Sequence, residues 1–330
     1  MDSVKRSAIL LSCLLCVLAP SVRGRCIPAT DVTCAKNCKC EYCSNQRTFD
    51  GLKCDCSFND FSVVPRDVPT NTTFLKLLKN SIARLRNSEF LSLGILERLD
   101  LSHNFLDSNE IDGNAFVGLE KLRIQSLEFN RALKAISGEW FRPLKNLWKL
   151  DLESASVEII SEDAFRFLGK LTYLILRDNR IKKIEPSLFR DLSSLQKVLL
   201  QVNQLKTLPP DMFNGSKSID ELNVASNKLI TILPASGLQN MENLKRLSVY
   251  QNPLDCGCDL VWFRQWIDTN DVIVKPHNTT CASGVNLMKF SPNDLQCEFP
   301  VVMVTSVSLI GFIAVCAAMV VIFNNIWRIR

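Results

Sequence analysis

Three observations in this 330-residue chain predict an α/β solenoid with capped ends: a motif that returns every 24 to 26 residues, two cysteine-rich blocks around a cysteine-free middle, and an apolar run near each terminus. The expected architecture is a concave parallel β-sheet, a convex side of loops and 3-10 turns, a disulfide cap at each end and one transmembrane helix.

The motif reads L-x-x-L-x-L-x-x-N-x-L. Leu96, Leu99, Leu101, Asn104 and Leu106 fill it, as do Leu171, Leu174, Leu176, Asn179 and Ile181, and Leu195, Val198, Leu200, Asn203 and Leu205. Frames begin near Thr72, Leu96, Leu122, Leu147, Leu171, Leu195, Ile219 and Leu244. The segment around the second and third apolar positions is a short strand, with alternation sending its leucines inward and the x residues outward. Stacked frames align these strands into one sheet. The Asn that follows is polar and buried, so it needs hydrogen-bond partners. Asn80, Asn104, Asn130, Asn179, Asn203, Asn227 and Asn252 occupy this place. Phe90, Phe116, Phe141, Phe165, Phe189 and Phe213 recur in the second half of the frame and are expected in the core. Three frames depart from the pattern. Thr72 stands at an apolar position, Gln125 replaces an inward leucine with one extra residue before Leu133, and Ala155 replaces the Asn, which is expected to weaken or bend the stack.

These residues resemble the leucine-rich repeat family, over roughly Cys34 to Cys297. The resemblance implies an Asn ladder, in which each buried Asn bonds the backbone of the neighbouring turn. A repeat touches only its neighbours, so terminal repeats need caps. Cys34-x3-Cys38-x-Cys40 followed by Cys54 resembles the family's N-terminal cap, and Cys256-x-Cys258 with Cys281 and Cys297 its C-terminal cap. The family pairing implies Cys34–Cys40, Cys38–Cys54 (Cys56 being an alternative to Cys54), Cys256–Cys281 and Cys258–Cys297. Leu260, Phe263, Trp266 and Ile267 keep helical spacing, as a helix closing the core would. Cys26, Cys43 and one of Cys54 and Cys56 remain. The cysteines outside the two apolar runs are odd in number, so one either stays free and shielded or links two chains into a dimer.

The termini place the chain at the plasma membrane. Lys5 and Arg6 precede a short apolar run, as in a secretory signal peptide over residues 1–24, cut after Gly24 or after Ser21. Residues 300–323 form the expected transmembrane helix: Val301 to Phe323 carries no charge, which is long enough to cross ~30 Å of hydrocarbon. Arg328 and Arg330 in the tail, 324–330, put it in the cytoplasm, giving a single-pass type I protein with its other parts outside. Those parts are an N-terminal cap over 25–71, repeats over 72–254 and a C-terminal cap over 255–299. Sequons at Asn71, Asn214 and Asn278 agree with export, and in that compartment the cysteines read as disulfides.

The net charge of +5 is too small to indicate a nucleic-acid partner. The two histidines, His103 and His277, have no nucleophile and carboxylate at catalytic spacing, and there is no phosphate loop or zinc-protease motif. No enzyme, metal or cofactor is expected. Binding falls to the outward strand positions. Most are polar, but Tyr173, Ile175 and Leu199 point outward on adjacent strands, with Arg177, Gln201 and Trp148 beside them and Val202 at the flank. Exposed apolar groups clustered next to charged ones suit a protein-binding site. Asp100, Glu128, Asp151 and Glu153 form an acidic stretch nearby, suited to a basic region of a partner.

The repeats and membrane-proximal cap resemble Toll-like-receptor ectodomains and the variable lymphocyte receptors of jawless vertebrates. That resemblance implies a recognition receptor of innate-immune type for a protein or microbial ligand. The seven-residue tail is too short for a folded domain, so signalling would pass through a co-receptor. An adhesion or matrix-binding receptor, or an accessory subunit of a signalling receptor or channel, is the alternative.

Overall fold

The computed structural model describes residues 25–45, 49–292, 295 and 297. The predicted signal peptide and the apolar run at 301–323 lie outside them. Among the described residues no helix is long and apolar enough to cross a membrane. The chain divides after Phe290, and the solenoid lies in the unit before that point.

Each frame contributes a strand to one parallel sheet: β4 (Thr72–Lys76), β5 (Arg98–Asp100), β6 (Ile124–Ser126), β8 (Lys149–Asp151), β10 (Tyr173–Ile175), β11 (Lys197–Leu199), β12 (Glu221–Asn223) and β13 (Arg246–Ser248). The inward residues Leu75, Leu99, Gln125, Leu150, Leu174, Val198, Leu222 and Leu247 stand side by side in register, all 0% exposed. The sheet continues beyond the repeats. β3 (Phe49–Asp55) pairs parallel with β4, and β2 (Lys39–Asn45) and β1 (Arg25–Pro28) add antiparallel strands, eleven in all. The N-terminal cap therefore covers the sheet edge that the first repeat would otherwise leave unpaired.

The buried asparagines hold one repeat to the next. Asn104 Nδ2 donates to the carbonyls of Leu77 and Leu101, and its Oδ1 accepts from Ile82 N–H at 3.1 Å. Asn130, Asn203, Asn227 and Asn252 repeat this scheme. The residue before each ladder position takes a left-handed backbone, from Lys79 (φ 52°) through Val202 (φ 58°) to Gln251 (φ 55°). That conformation is unfavourable for a side chain other than glycine. It is held because the same residue's N–H donates to a strand-end carbonyl of the following repeat, as from His103 to Glu128 and from Val202 to Ala225.

Ala155 leaves no gap in this scheme. The extra residue in the preceding frame forms a turn in which Leu133 N–H donates to Asn130 O at 2.9 Å and so is not available to an asparagine at 155. Ala155 N–H itself donates to Asn179 Oδ1 at 3.1 Å. At the expected weak point the backbone N–H of Ala155 is thus paired by the next ladder residue. Restoring the repeat residue with Ala155→Asn should destabilise the fold by about 1–3 kcal/mol, through an orphaned amide oxygen and a tighter core. Thermal melting of the variant checks this, and a higher melting temperature would refute it.

The phenylalanines form a second spine. Their side chains are 0–2% exposed, with neighbouring centroids 6.0 Å apart for Phe90–Phe116, 6.4 Å for Phe116–Phe141 and 6.3 Å for Phe189–Phe213. The convex half is mostly turns, as 24-residue frames leave little length for helices. Helix among the described residues is confined to α1 (Gly138–Phe141), α2 (Val261–Asn270) and short 3-10 turns, so this part is poorer in helix than an α/β label suggests. A two-stranded parallel sheet, β7 (Ala135–Ile136) with β9 (Ile159–Ile160), lies outside the repeat's strand pattern.

At the C-terminal cap, Phe263 and Ile267 of α2 are buried and Leu260 precedes them at 0% exposure. Trp266 is only half-buried and stacks on Phe263 at 6.0 Å. Cys256 is bonded to Cys281, and Cys258 and Cys297 each carry a disulfide. At the other end Cys34 bonds Cys40, and Cys26 bonds Cys43. Cys38 bonds Cys56 rather than Cys54, the partner placed first by the family pairing. Both face the same side of the chain two residues apart, so spacing alone could not choose between them. Cys54 is left as a thiol at 0% exposure, too deep in this arrangement to link a second chain.

Candidate ligand-binding face

The concave sheet brings most of the outward residues singled out in the sequence into one patch. Ile175 and Leu199 are direct neighbours across β10 and β11. Tyr173 lies on the same face, two residues before Ile175. Trp148, immediately ahead of β8 and 39% exposed, places its ring 4.9 Å from that of Tyr173. Tyr173, Ile175, Leu199 and Gln201 are partly exposed, and the Oε1 of Gln201 is buried without a hydrogen-bond partner. Val202, with its left-handed backbone, is 47% exposed past the strand end. Arg177 is not a free cation, because it pairs with Glu153 at 2.5 Å.

Charges elsewhere on this face are mostly paired. Lys149 bridges Asp151 at 3.1 Å, Lys197 bridges Glu221 at 3.2 Å, and Arg246 meets Glu221 at 3.6 Å. The ammonium of Lys197 also lies 5.4 Å from the Tyr173 ring. The same pairing runs into the N-terminal cap, where Lys39, Glu41, Lys53, Asp55 and Lys76 line a shallow cleft. Alternation in Lys39–Glu41 and Lys53–Asp55 was the available signal for this extension of the face.

The acidic stretch is real and uneven. Carboxylate oxygens of Glu128, Asp151 and Glu153 lie within 4.8 Å of one another, a spacing that would also suit a cation. Lys149 and Arg177 answer two of them, and among the described residues Glu128 has no ion pair. Burial pushes the Glu128 carboxyl above its usual range, and Asp151, Glu153 and Asp100 push it further. A carboxyl with a raised folded-state pKa favours the fold when protonated. Its ionisation therefore weakens the fold as pH rises through that pKa. Glu128→Gln should raise the melting temperature slightly at pH 7, and the gain should vanish below the unfolded carboxyl range, near pH 4. A gain that persists unchanged at pH 3.5 would contradict this.

His103 stacks on Phe129, centroids 4.3 Å apart, and His277 is exposed in the C-terminal cap. Asn71, Asn214 and Asn278 are all exposed, and none is a residue of the concave strands. At Asn214 the sequon is part of the fold. A Cβ at Gly215 would sit 1.9 Å from Arg190 O, and Ser216 Oγ donates to the carbonyls of Phe189 and Leu192.

A model of the leucine rich repeat family matches residues 126–181 and 170–229. Leucine-rich repeat-containing protein 3B of Danio rerio is 33% identical over 144 residues, which is 43% of this chain and 51% of that protein. Leucine-rich repeat-containing protein 3 of Homo sapiens is 42% identical over 64 residues, 19% of this chain and 24% of that one. The chain thus spans about half or less of these curated relatives. The crystal structure of human 5T4 (Wnt-activated inhibitory factor 1, Trophoblast glycoprotein) superposes with a TM-score of 0.66 at 25% identity, covering 82% of this chain and 100% of that one. The Asn ladder, the stacked strands and the disulfide-bonded ends make the described residues a leucine-rich repeat solenoid with cysteine caps, similar to these proteins.

Proposed function

We propose that this protein is a cell-surface recognition receptor that binds a protein ligand on the concave face, around Trp148, Tyr173, Ile175 and Leu199. The observation that carries this reading is an aromatic and aliphatic cluster left partly exposed on a sheet whose charges are otherwise largely paired. Large apolar groups beside fixed charges are what interface hot spots are made of. Arg177 and Gln201 border the cluster. None of the sequon asparagines is a strand residue of this face. Export, the span at 300–323 and the type I orientation belong to the same reading, supported by the sequence pattern and by disulfides that suit an oxidising compartment. Signalling would then pass through a co-receptor, with an innate-immune ligand as the first candidate.

A second reading has its own support. The 5T4 protein, alike over its whole solved chain, is described as an inhibitory factor. That favours an accessory protein acting on another receptor. Cells displaying the full chain would be tested for binding to microbial surfaces and to host cells, beside cells displaying Ile175→Glu with Leu199→Glu. Both side chains face outward, so folding should survive, while binding should fall at least about tenfold. Equal binding by the variant would remove the concave cluster from consideration. Binding confined to host cells would replace the immune reading with adhesion or an accessory role, which co-purification of a larger membrane protein would single out.

A further inference from the structure

Three sulfur atoms meet inside the N-terminal cap. Cys34 and Cys40 are bonded, and Cys54 is a thiol whose Sγ lies 2.9 Å from Cys40 Sγ. All three sulfurs fall within 4.8 Å of one another. Cys40 and Cys54 are direct partners across β2 and β3, the same relation that Cys26 and Cys43 have across β1 and β2, where a disulfide forms. The pairing of strands therefore suits a Cys40–Cys54 bond as well as the one present. Thr72, the polar residue at an apolar repeat position, is fully buried and places its hydroxyl 3.2 Å from Cys54 Sγ. A hydroxyl there is out of place in an apolar core, and it is placed to donate to a thiolate at Cys54.

We propose that Cys54, Cys40 and Cys34 form an intramolecular thiol–disulfide exchange relay that moves the odd thiol from the core to the surface. Cys54 loses its proton to solvent, and its thiolate attacks Cys40 Sγ. A Cys40–Cys54 bond forms as the Cys34–Cys40 bond breaks. Cys34 leaves as a thiolate and takes up a proton. One disulfide replaces another, so no oxidant or reductant is consumed. Cys54 is 0% exposed and Cys40 7%, whereas Cys34 is partly exposed in the loop between β1 and β2. After exchange that loop is still tied by Cys38–Cys56, and its thiol can reach reagents or another protein's thiol-reactive group. Burial holds the Cys54 thiol above its usual range and the Thr72 hydroxyl opposes this, so exchange should be slow at neutral pH and quicken in base.

The full-length protein would be held with N-ethylmaleimide under native, non-reducing conditions, then digested and its peptides mapped. The expected result is maleimide on Cys34, distinguished by its peptide from Cys316, with a Cys40–Cys54 linked peptide appearing in step. The rate should rise up to about tenfold per pH unit while Cys54 is mostly protonated. Label on Cys54 alone, or an intact Cys34–Cys40 peptide throughout, would overturn the relay. So would continued labelling of Cys34 in Cys54→Ser. Two variants probe the chemistry and the geometry separately. Thr72→Val should slow labelling several-fold, and an unchanged rate would remove the hydroxyl from the step. Cys34→Ser should fold with Cys40 bonded to Cys54; finding both as thiols would refute the alternative pairing.

Discussion

Replacing Gln125 with leucine should stabilise the fold by about 2–4 kcal/mol, raising the melting temperature by roughly 5–10 °C for a domain of this size. Gln125 is 0% exposed between Leu99 and Leu150 in the row of inward strand residues. Neither its Nε2 nor its Oε1 has a hydrogen-bond partner. A buried amide without partners costs more than the packing of its methylenes returns. Leucine has a similar volume and is the residue the repeat uses elsewhere. Calorimetry on the two proteins decides the matter: no gain would mean that an ordered water already satisfies the amide.

Removing Asn179 should have the opposite effect, of comparable size. Its Nδ2 donates to the carbonyls of Leu152, Leu176 and Arg177, and its Oδ1 accepts from both Ala155 and Val157 N–H. Asn203 Oδ1 receives one N–H, from Ile181. The same double acceptance occurs at Asn80, from Asn59 and Phe61 N–H. Asn179→Ala should therefore destabilise by about 3–4 kcal/mol, and Asn203→Ala by about 2 kcal/mol. Denaturant melts of both variants test the order, and equal losses would contradict it.

The sheet could be read from the sequence because its two signals are local and repeated. Alternation in segments such as Leu99-Asp100-Leu101 fixes which side chains go inward, and the 24- to 26-residue return fixes which strands are neighbours. The convex half was less legible. The β7–β9 pair has no periodic signature of its own and arises where Ala135 and Ile159 of adjacent repeats come side by side. Strands β1 to β3 share no repeat period with the frames that follow, and cysteine spacing is the stronger pattern in that segment. At the candidate face the outward positions followed from alternation. What did not follow was which charges would be spent on one another: Arg177 is far from Glu153 in sequence and meets it only because β8 and β10 are adjacent. The choice of Cys56 over Cys54 depended in the same way on what lies across the strand, here Cys40 and Thr72.

The uncrosslinked stretch between the caps has a mechanical consequence. At one end the disulfides Cys26–Cys43, Cys34–Cys40 and Cys38–Cys56 cross-link the segment up to Cys56, cross-links begin again at Cys256, and every ladder bond in between joins adjacent repeats only. Tension applied along the chain would meet no covalent shortcut across that interval. Each repeat that yields would release about 80 Å of extended chain, at about 3.3–3.6 Å per residue. The caps would retain their loops while the middle lengthened in repeat-sized steps, so the concave face would lose its strands one at a time.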